Sequence, residues 1–293
     1  MFKRMTAGEI AFQFVAVMLV AVLCVLVLYP FLHVFSLSFS APKDALRVGL
    51  HILPRTWSLD AYREVFHLQN LYVGMSNTLF RTIVGTFLSI VLMSLGAYPL
   101  SKKRLPHRTF FTMLIVFTLF FSGGLIPTYM LIKDLGLYDS RWALIVPMLS
   151  STFTMFIMRN FFMSIPEELE ESAKIDGAND VRILLSLILP LSKPILATVT
   201  VWVAVAHWNA WFDALIYIQD PKKMVMQIYL RKLFITNDSD TLRQMMEQSG
   251  GRVQVQETLK SAVLMVTMAP IIVLYPFLQK HFIKGIMVGS LKG

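Results

Sequence analysis

Two groups of residues in this 293-residue chain have types and spacings that suit chemistry. The first is a charged island at residues 164–194, SIPEELEESAKIDGANDVRILLSLILPLSKP, set between two long apolar segments. The second is a thin scatter of polar and aromatic side chains within or beside apolar runs: Asn77, Arg81, Trp208 and Asn209. A charge inside a membrane segment is by default a candidate for contact with a transported solute. No G-x-x-x-x-G-K-[ST] phosphate loop, H-E-x-x-H pair or G-x-S-x-G elbow occurs in the sequence. The single Cys24 and six scattered histidines offer no zinc-ligand spacing and no intrachain disulfide. The expectation is a chain with no catalytic residue, no metal site and no bound cofactor, whose chemistry is docking and passage.

The elements that position these residues are membrane elements. Hydrophobic residues make up 56% of the chain and charged ones only 15%, against about 25% charged in soluble domains, and mean hydropathy is +0.62. Six apolar segments are expected to cross a bilayer: 10–37, 73–100, 110–132, 142–162, 191–212 and 259–277. The first is longer than a signal-peptide core of about 7–15 residues and reads as an uncleaved span. Gly123, Gly124 and Pro127 leave room for a kink in the third. The fold class is therefore an all-α membrane protein with six transmembrane helices. The expected organisation is one transmembrane domain over 1–293, with a loop at 164–190 on one side and loops at 40–72 and 213–258 on the other.

Charge sets the orientation. With both ends placed in the cytoplasm, the N-terminus carries +1, a knot of Lys102, Lys103, Arg104 and Arg108 carries +4, and the tail +3. The island contributes −2 and the three outer loops together +1. The net +9 is mainly a positive-inside signature, so no nucleic-acid partner is expected. In the outer loops, SLDAYREVF (58–66) and MVMQIYLRKLFI (224–235) are amphipathic, while TNDSD and SGG read as turns. Arg81 lies about 12 Å inside the second segment at 1.5 Å per residue; it either lines a path, or snorkels or pairs structurally with a partner subunit. Trp208, with Trp211 and Phe212, either anchors the chain at the interface or stacks on a sugar.

The island is patterned as helix, turn, helix. Ser164 and Glu167 have capping-box spacing, Pro166 suits a first helical turn, and Gly177 is a natural stop. Glu167, Glu168, Glu170 and Glu171 crowd the N-terminal turns, where the helix dipole favours negative charge. Asn179 or Asp180 can cap a second helix, and Pro190 and Pro194 mark re-entry into the bilayer. Helices that lie on lipid are rich in Lys and Arg, and four glutamates argue for a protein partner instead.

ELEESAKIDGA followed by LILPLSKP resembles the EAA loop of ABC-importer permeases, matched at Glu171, Ser172, Ala173, Gly177, Leu187, Leu189 and Pro190. Ser172 and Leu187 depart modestly from the family's Ala and Ile. Asn77–Thr78–Leu79, Ala97–Tyr98, Leu100–Ser101, Trp208–Asn209 and the ending KGIMVGSLKG are similar to the carbohydrate-uptake (maltose-type) branch, with Pro99 a minor departure. The tail and the long 213–257 loop are most similar to permeases for oligosaccharides cut from polysaccharides, including acidic ones such as alginate or aldouronates.

The resemblance covers nearly the whole chain. It implies a type I ABC-importer permease fold whose cytoplasmic coupling helix meets an ATPase through Glu170, Glu171, Ser172, Ala173, Asp176, Gly177, Ala178 and Pro190. It further implies a heterodimer with a second permease subunit, an ABC ATPase dimer that holds the ATP and Mg, and a periplasmic or surface-tethered solute-binding protein. The substrate would be an oligosaccharide, with alginate among the candidates, and the location the bacterial inner membrane. The alternative is a self-contained secondary transporter of small polar solutes. It would need paired intramembrane acids, yet only Arg81 is clearly intramembrane, with Asp213 at an edge.

Overall fold

The structure is a computed structural model that describes residues 7–45, 47, 49, 51–234 and 257–273. Its helices in chain order are α1 (Ala7–Ser38), α2 (Pro42–Ala45), α3 (Asp60–Val65), α4 (Gln69–Ser101), α5 (Arg108–Phe120), α6 (Leu125–Asp134), α7 (Thr152–Met163), α8 (Glu167–Ile175), α9 (Asp180–Ile183), α10 (Leu189–Leu191), α11 (Lys193–Asn209), α12 (Phe212–Tyr217), α13 (Met226–Phe234) and α14, described over residues 257–273. No β-strand occurs among the described residues. The chain divides into two compact units, residues 1–69 with 230–269, and residues 70–229 with 270–293.

Two helices, α1 and α4, are long and apolar enough to cross a membrane unbroken. The next two expected spans are instead bent pairs. The third turns by 113° between α5 and α6, at the extended Phe121 and at Gly124, whose φ is +88°. A kink was expected there, and the structure makes it a full corner. The fourth is a 3-10 stretch over Arg141–Met148 that meets α7 at 50°. At the entry to the fifth, the island's second helix, Asp180–Leu191, meets α11 at 84°. Counting each bent pair as one span gives up to five among the described residues. The sixth expected span, 259–277, is helical through residue 273, and the rest of it lies outside the described residues. So do the TNDSD and SGG turns and the tail.

In the first unit the end of α1 is pinned by its outer loop. Ser38 Oγ and Tyr62 Oη lie 2.9 Å apart, and the Phe39 ring sits 4.7 Å from that of Tyr62 and 5.7 Å from that of Trp57. The amphipathic patch forms α3, burying Ala61 and Val65.

In the second unit the main core lies beside the island. Met93, Ala97 and Leu100 of α4, Met155, Met158 and Phe162 of α7, Ile183 of α9 and Val199 and Val203 of α11 pack as one cluster. A π-helical turn at Leu184–Ile188 adds Leu184 and Ile188 to it. One stretch of α4 sits closer to its neighbour than a side chain allows. A Cβ on Gly85 would stand 2.7 Å from the ring of His207, which is fully buried. Gly85→Ala should therefore lower the thermal midpoint of the detergent-purified protein, by about 1–3 kcal/mol of stability for an overpacked site. An unchanged midpoint would mean the His207 ring has room to move.

Candidate functional site

The island folds as the helix–turn–helix that its pattern predicts, with its caps placed differently. Helix α8 begins at Glu167 after the N-cap Pro166, which cannot cap with its side chain. Ser164 belongs to the end of α7 and its hydroxyl donates to the Phe161 carbonyl at 2.7 Å, so no capping box forms. The C-terminal stop is a Schellman motif. Gly177, at φ +81°, donates its N–H to the Lys174 carbonyl, and Ala178 donates to the Ala173 carbonyl, both at 2.9 Å. Asn179 is the cap of α9, its Oδ1 accepting from the Arg182 N–H at 2.8 Å.

This geometry sorts the island's residues into two faces. Glu170 is buried, and Ala173 and Ala178 pack against the core. Glu168, Leu169, Glu171, Ser172, Ile175, Asp176 and Gly177 are exposed. Ile175, at the tip, is 87% exposed. A helix that lies on lipid would carry Lys and Arg, and this exposed face instead carries an isoleucine beside acids. Pro190 is exposed on the bent run behind it.

The inner face is gripped by the end of α4. Lys102 forms an ion pair with Glu170, and both side chains are largely buried. Its ammonium also lies 4.6 Å from the centre of the Tyr98 ring. Lys103 reaches Glu167 at 3.4 Å and Arg104 reaches Asp180 at 2.6 Å, so three consecutive cations in the turn after α4 hold two acids on α8 and one at the start of α9. The last carbonyls of a helix lack intrahelical donors. Here the Leu100 carbonyl accepts from Arg108 Nε at 2.9 Å and from Arg159 Nε at 3.0 Å.

The other half of α4 carries a polar and small stripe, Gly74, Asn77, Thr78, Arg81 and Gly85, at helical spacing on one face. Gly74 lets the backbone of Met226 approach closely. Asn77 Nδ2 donates to the carbonyls of Lys222 and Met224 at 2.9 Å each, and the Met226 N–H donates to Thr78 Oγ1 at 2.9 Å. Arg81, only 1% exposed, forms an ion pair with Asp213 and donates to the Ala210 carbonyl at 3.0 Å. That carbonyl lies in the extended link between α11 and α12. Asn77, Arg81 and Trp208 thus lie in the packed interior of the unit, with Asn77 and Arg81 bonded to their own chain, while Asn209 is exposed.

A second knot ties the outer turns. Asp139, at φ +53°, donates its N–H to the Tyr217 carbonyl at 2.9 Å. Its Oδ1 accepts from the N–H groups of Gln219 and Asp220 at 3.0 Å each, and Lys223 Nζ lies 3.1 Å from Oδ2. The two backbone donors, then Lys223, hold the Asp139 carboxyl below its ordinary range.

Sequence reasoning assigned Lys102 to topology and left Asp213 at a span edge, and it missed the exposed Leu169 and Ile175. The stripe on α4 was legible as a repeat of small and polar residues every third or fourth position. The pairing of Lys102 with Glu170 had no such signal, because 68 residues separate them.

Residues 71–288 match the family described as the binding-protein-dependent transport system inner membrane component. The chain belongs to that family. This permease is 43% identical over 273 residues to the polygalacturonan/rhamnogalacturonan transport system permease protein YtcP of Bacillus subtilis, covering 93% of this chain and 94% of that protein. It is 27% identical over 280 residues to the arabinooligosaccharides transport system permease protein AraQ of Halalkalibacterium halodurans, covering 93% of this chain and 94% of that one. Among solved structures it superposes with a TM-score of 0.88 on a bacterial ABC transporter involved in the import of the acidic polysaccharide alginate, at 32% identity, covering 96% of this chain and 100% of that chain. The fold is that of a type I ABC-importer permease, an inner-membrane subunit of an importer that works with a binding protein. The alternative of a self-contained secondary transporter gains no support from these relatives.

The Asp139 knot predicts a pH response. Because its folded pKa is lowered, the carboxylate stabilises the outer turn above the ordinary carboxylate range, and that stabilisation fades as pH falls through the lowered value. Hydrogen exchange, corrected for intrinsic rate, should show the Gln219 and Asp220 amides protected near neutrality and less so in acid. Asp139→Asn should reduce the neutral protection and remove the pH dependence. A variant whose Gln219 and Asp220 protection matches that of the original protein at both pH values would dissociate the knot from that carboxylate.

Proposed function

We propose that this permease passes an oligosaccharide, released from an acidic polysaccharide, across the inner membrane when a separate ATPase drives it. The observation that carries the reading is the outer face of α8, where Glu171, Ser172, Ile175, Asp176 and Gly177 project from a turn held rigidly from behind. A rigid, acidic, isoleucine-tipped turn suits a groove on a soluble protein. Glu170, Ala173, Ala178 and Pro190 serve it by fixing its seat, the first through Lys102. Both termini lie in the cytoplasm with the turn, as the Lys and Arg bias of the loops requires. ATP and Mg are held by the ATPase dimer, a second permease completes the channel, and a solute-binding protein delivers the sugar.

The acidic substrate rests on kinship, since both the galacturonan-type permease and the alginate importer are named for uronate polymers. It does not rest on Arg81, whose charge is met by Asp213. Asn209 is the expected path residue that remains accessible. Contact with Asn77 or Arg81 would require them to leave their present partners, and Trp208 is buried.

Two measurements test this. The purified complex should contain the ATPase, and Ile175→Lys, Glu171→Lys or Gly177→Trp should sever transport from ATP hydrolysis while the protein stays in the membrane. Unchanged uptake in all three would remove α8 from the mechanism. Uptake of labelled trigalacturonate should be competed by other oligouronates and not by maltotriose; equal competition by maltotriose would discard the acidic class.

A further inference from the structure

Helix α4 is held at both ends, and the two grips belong to different parts of the second unit. At the inner end Lys102, Lys103 and Arg104 hold Glu170, Glu167 and Asp180 on and around α8. At the outer end Asn77, Thr78 and Arg81 hold the backbone of residues 222, 224, 226 and 210 and the carboxylate of Asp213. Arg81 and Ser101, the last residue of α4 before Lys102, are 20 residues apart, so the grips are separated by about 30 Å of helix, close to the roughly 30 Å hydrocarbon thickness of a bilayer. Between them α4 runs without a break, 33 residues in all. The third and fourth expected spans of this unit turn by 113° and 50°, and the island's second helix meets α11 at 84°. A continuous helix transmits displacement along its axis, whereas a corner can absorb it by bending.

We infer that α4 is the rod that carries motion of the coupling turn to the outer connection at residues 210–226, with Lys102–Glu170 its inner joint and the Thr78–Met226 contact part of its outer joint. The inference rests on the coupling role proposed for α8 and adds the route by which that motion leaves it. Lys102 and Thr78 are positioning residues and touch no solute. Glu170 and Glu171 then divide the work of adjacent positions, which point about 100° apart on a helix: Glu170 locks the turn to α4, and Glu171 faces the ATPase. By linkage, occupancy on the outer side changes the energetics at the coupling turn by the same route.

The test uses the complete importer, with its second permease, ATPase and binding protein, in vesicles, and reads sugar moved per ATP hydrolysed. Lys102→Glu and, separately, Thr78→Val should each lower that ratio about tenfold, within the range of site-to-site coupling. The ATPase should remain in the purified complex of each. The exchange variant K102E/E170K should return the ratio to near the original value, which a loss of general stability would not predict. An assembled Lys102→Glu or Thr78→Val complex with an unchanged ratio overturns the rod, as does an assembled exchange variant that stays uncoupled. If Lys102→Glu fails to assemble, the exchange variant and Thr78→Val decide by the same criteria. Failure of the unmodified permease to retain an ATPase would instead refute the coupling role itself, so the two failures are distinguishable.

Discussion

A bilayer offers no water to a broken helix, so every interruption must be closed by the protein itself. This permease interrupts its helices repeatedly, and its most consequential side chains stand where the backbone is left open. Arg81 is the clearest case. The extended link after Asn209 frees the Ala210 carbonyl, and the guanidinium fills it while the same side chain meets Asp213 at the start of α12. An arginine or an aspartate buried alone would carry a large desolvation penalty. Together, with a carbonyl to share, they make the break tolerable and fix where α12 departs.

The same rule governs the opposite end of α4. Its terminal carbonyl at Leu100 draws two arginines, Arg108 and Arg159, from two different helices. Cations are favoured at a helix C-terminus by the dipole as well as by the unpaired carbonyls. The basic knot and Arg159 together bind the end of α4 to α5, α7 and α8. The turn is presented rigidly because its back face is neutralised within the chain, leaving Ile175 and the remaining acids free to meet a groove.

Much of this was legible before any coordinates. The apolar segments, the island, its Gly177 stop and the amphipathic stretch that becomes α13 all follow from local pattern, and local pattern depends on neighbours a few residues away. Ser164 was misplaced because capping-box spacing is satisfied equally well by a serine that ends the preceding helix, and only the path of α7 separates the two. The 113° corner after α5 exceeds the expected kink for a related reason. Gly123 and Gly124 permit a sharp bend, but packing decides its angle.

By itself the sequence determined that this chain is a helical membrane protein and that a charged helix–turn–helix interrupts its apolar segments. Each of those rests on hydrophobicity, charge or short-range spacing, which need no knowledge of distant neighbours. Only the tertiary structure decided that Glu170 faces inward and Glu171 outward, that Asn77 and Arg81 bind their own backbone, and that Asp213 is Arg81's partner. Those pairings join positions 68 to 147 residues apart, and no local rule selects among the many acids and carbonyls that could have met them.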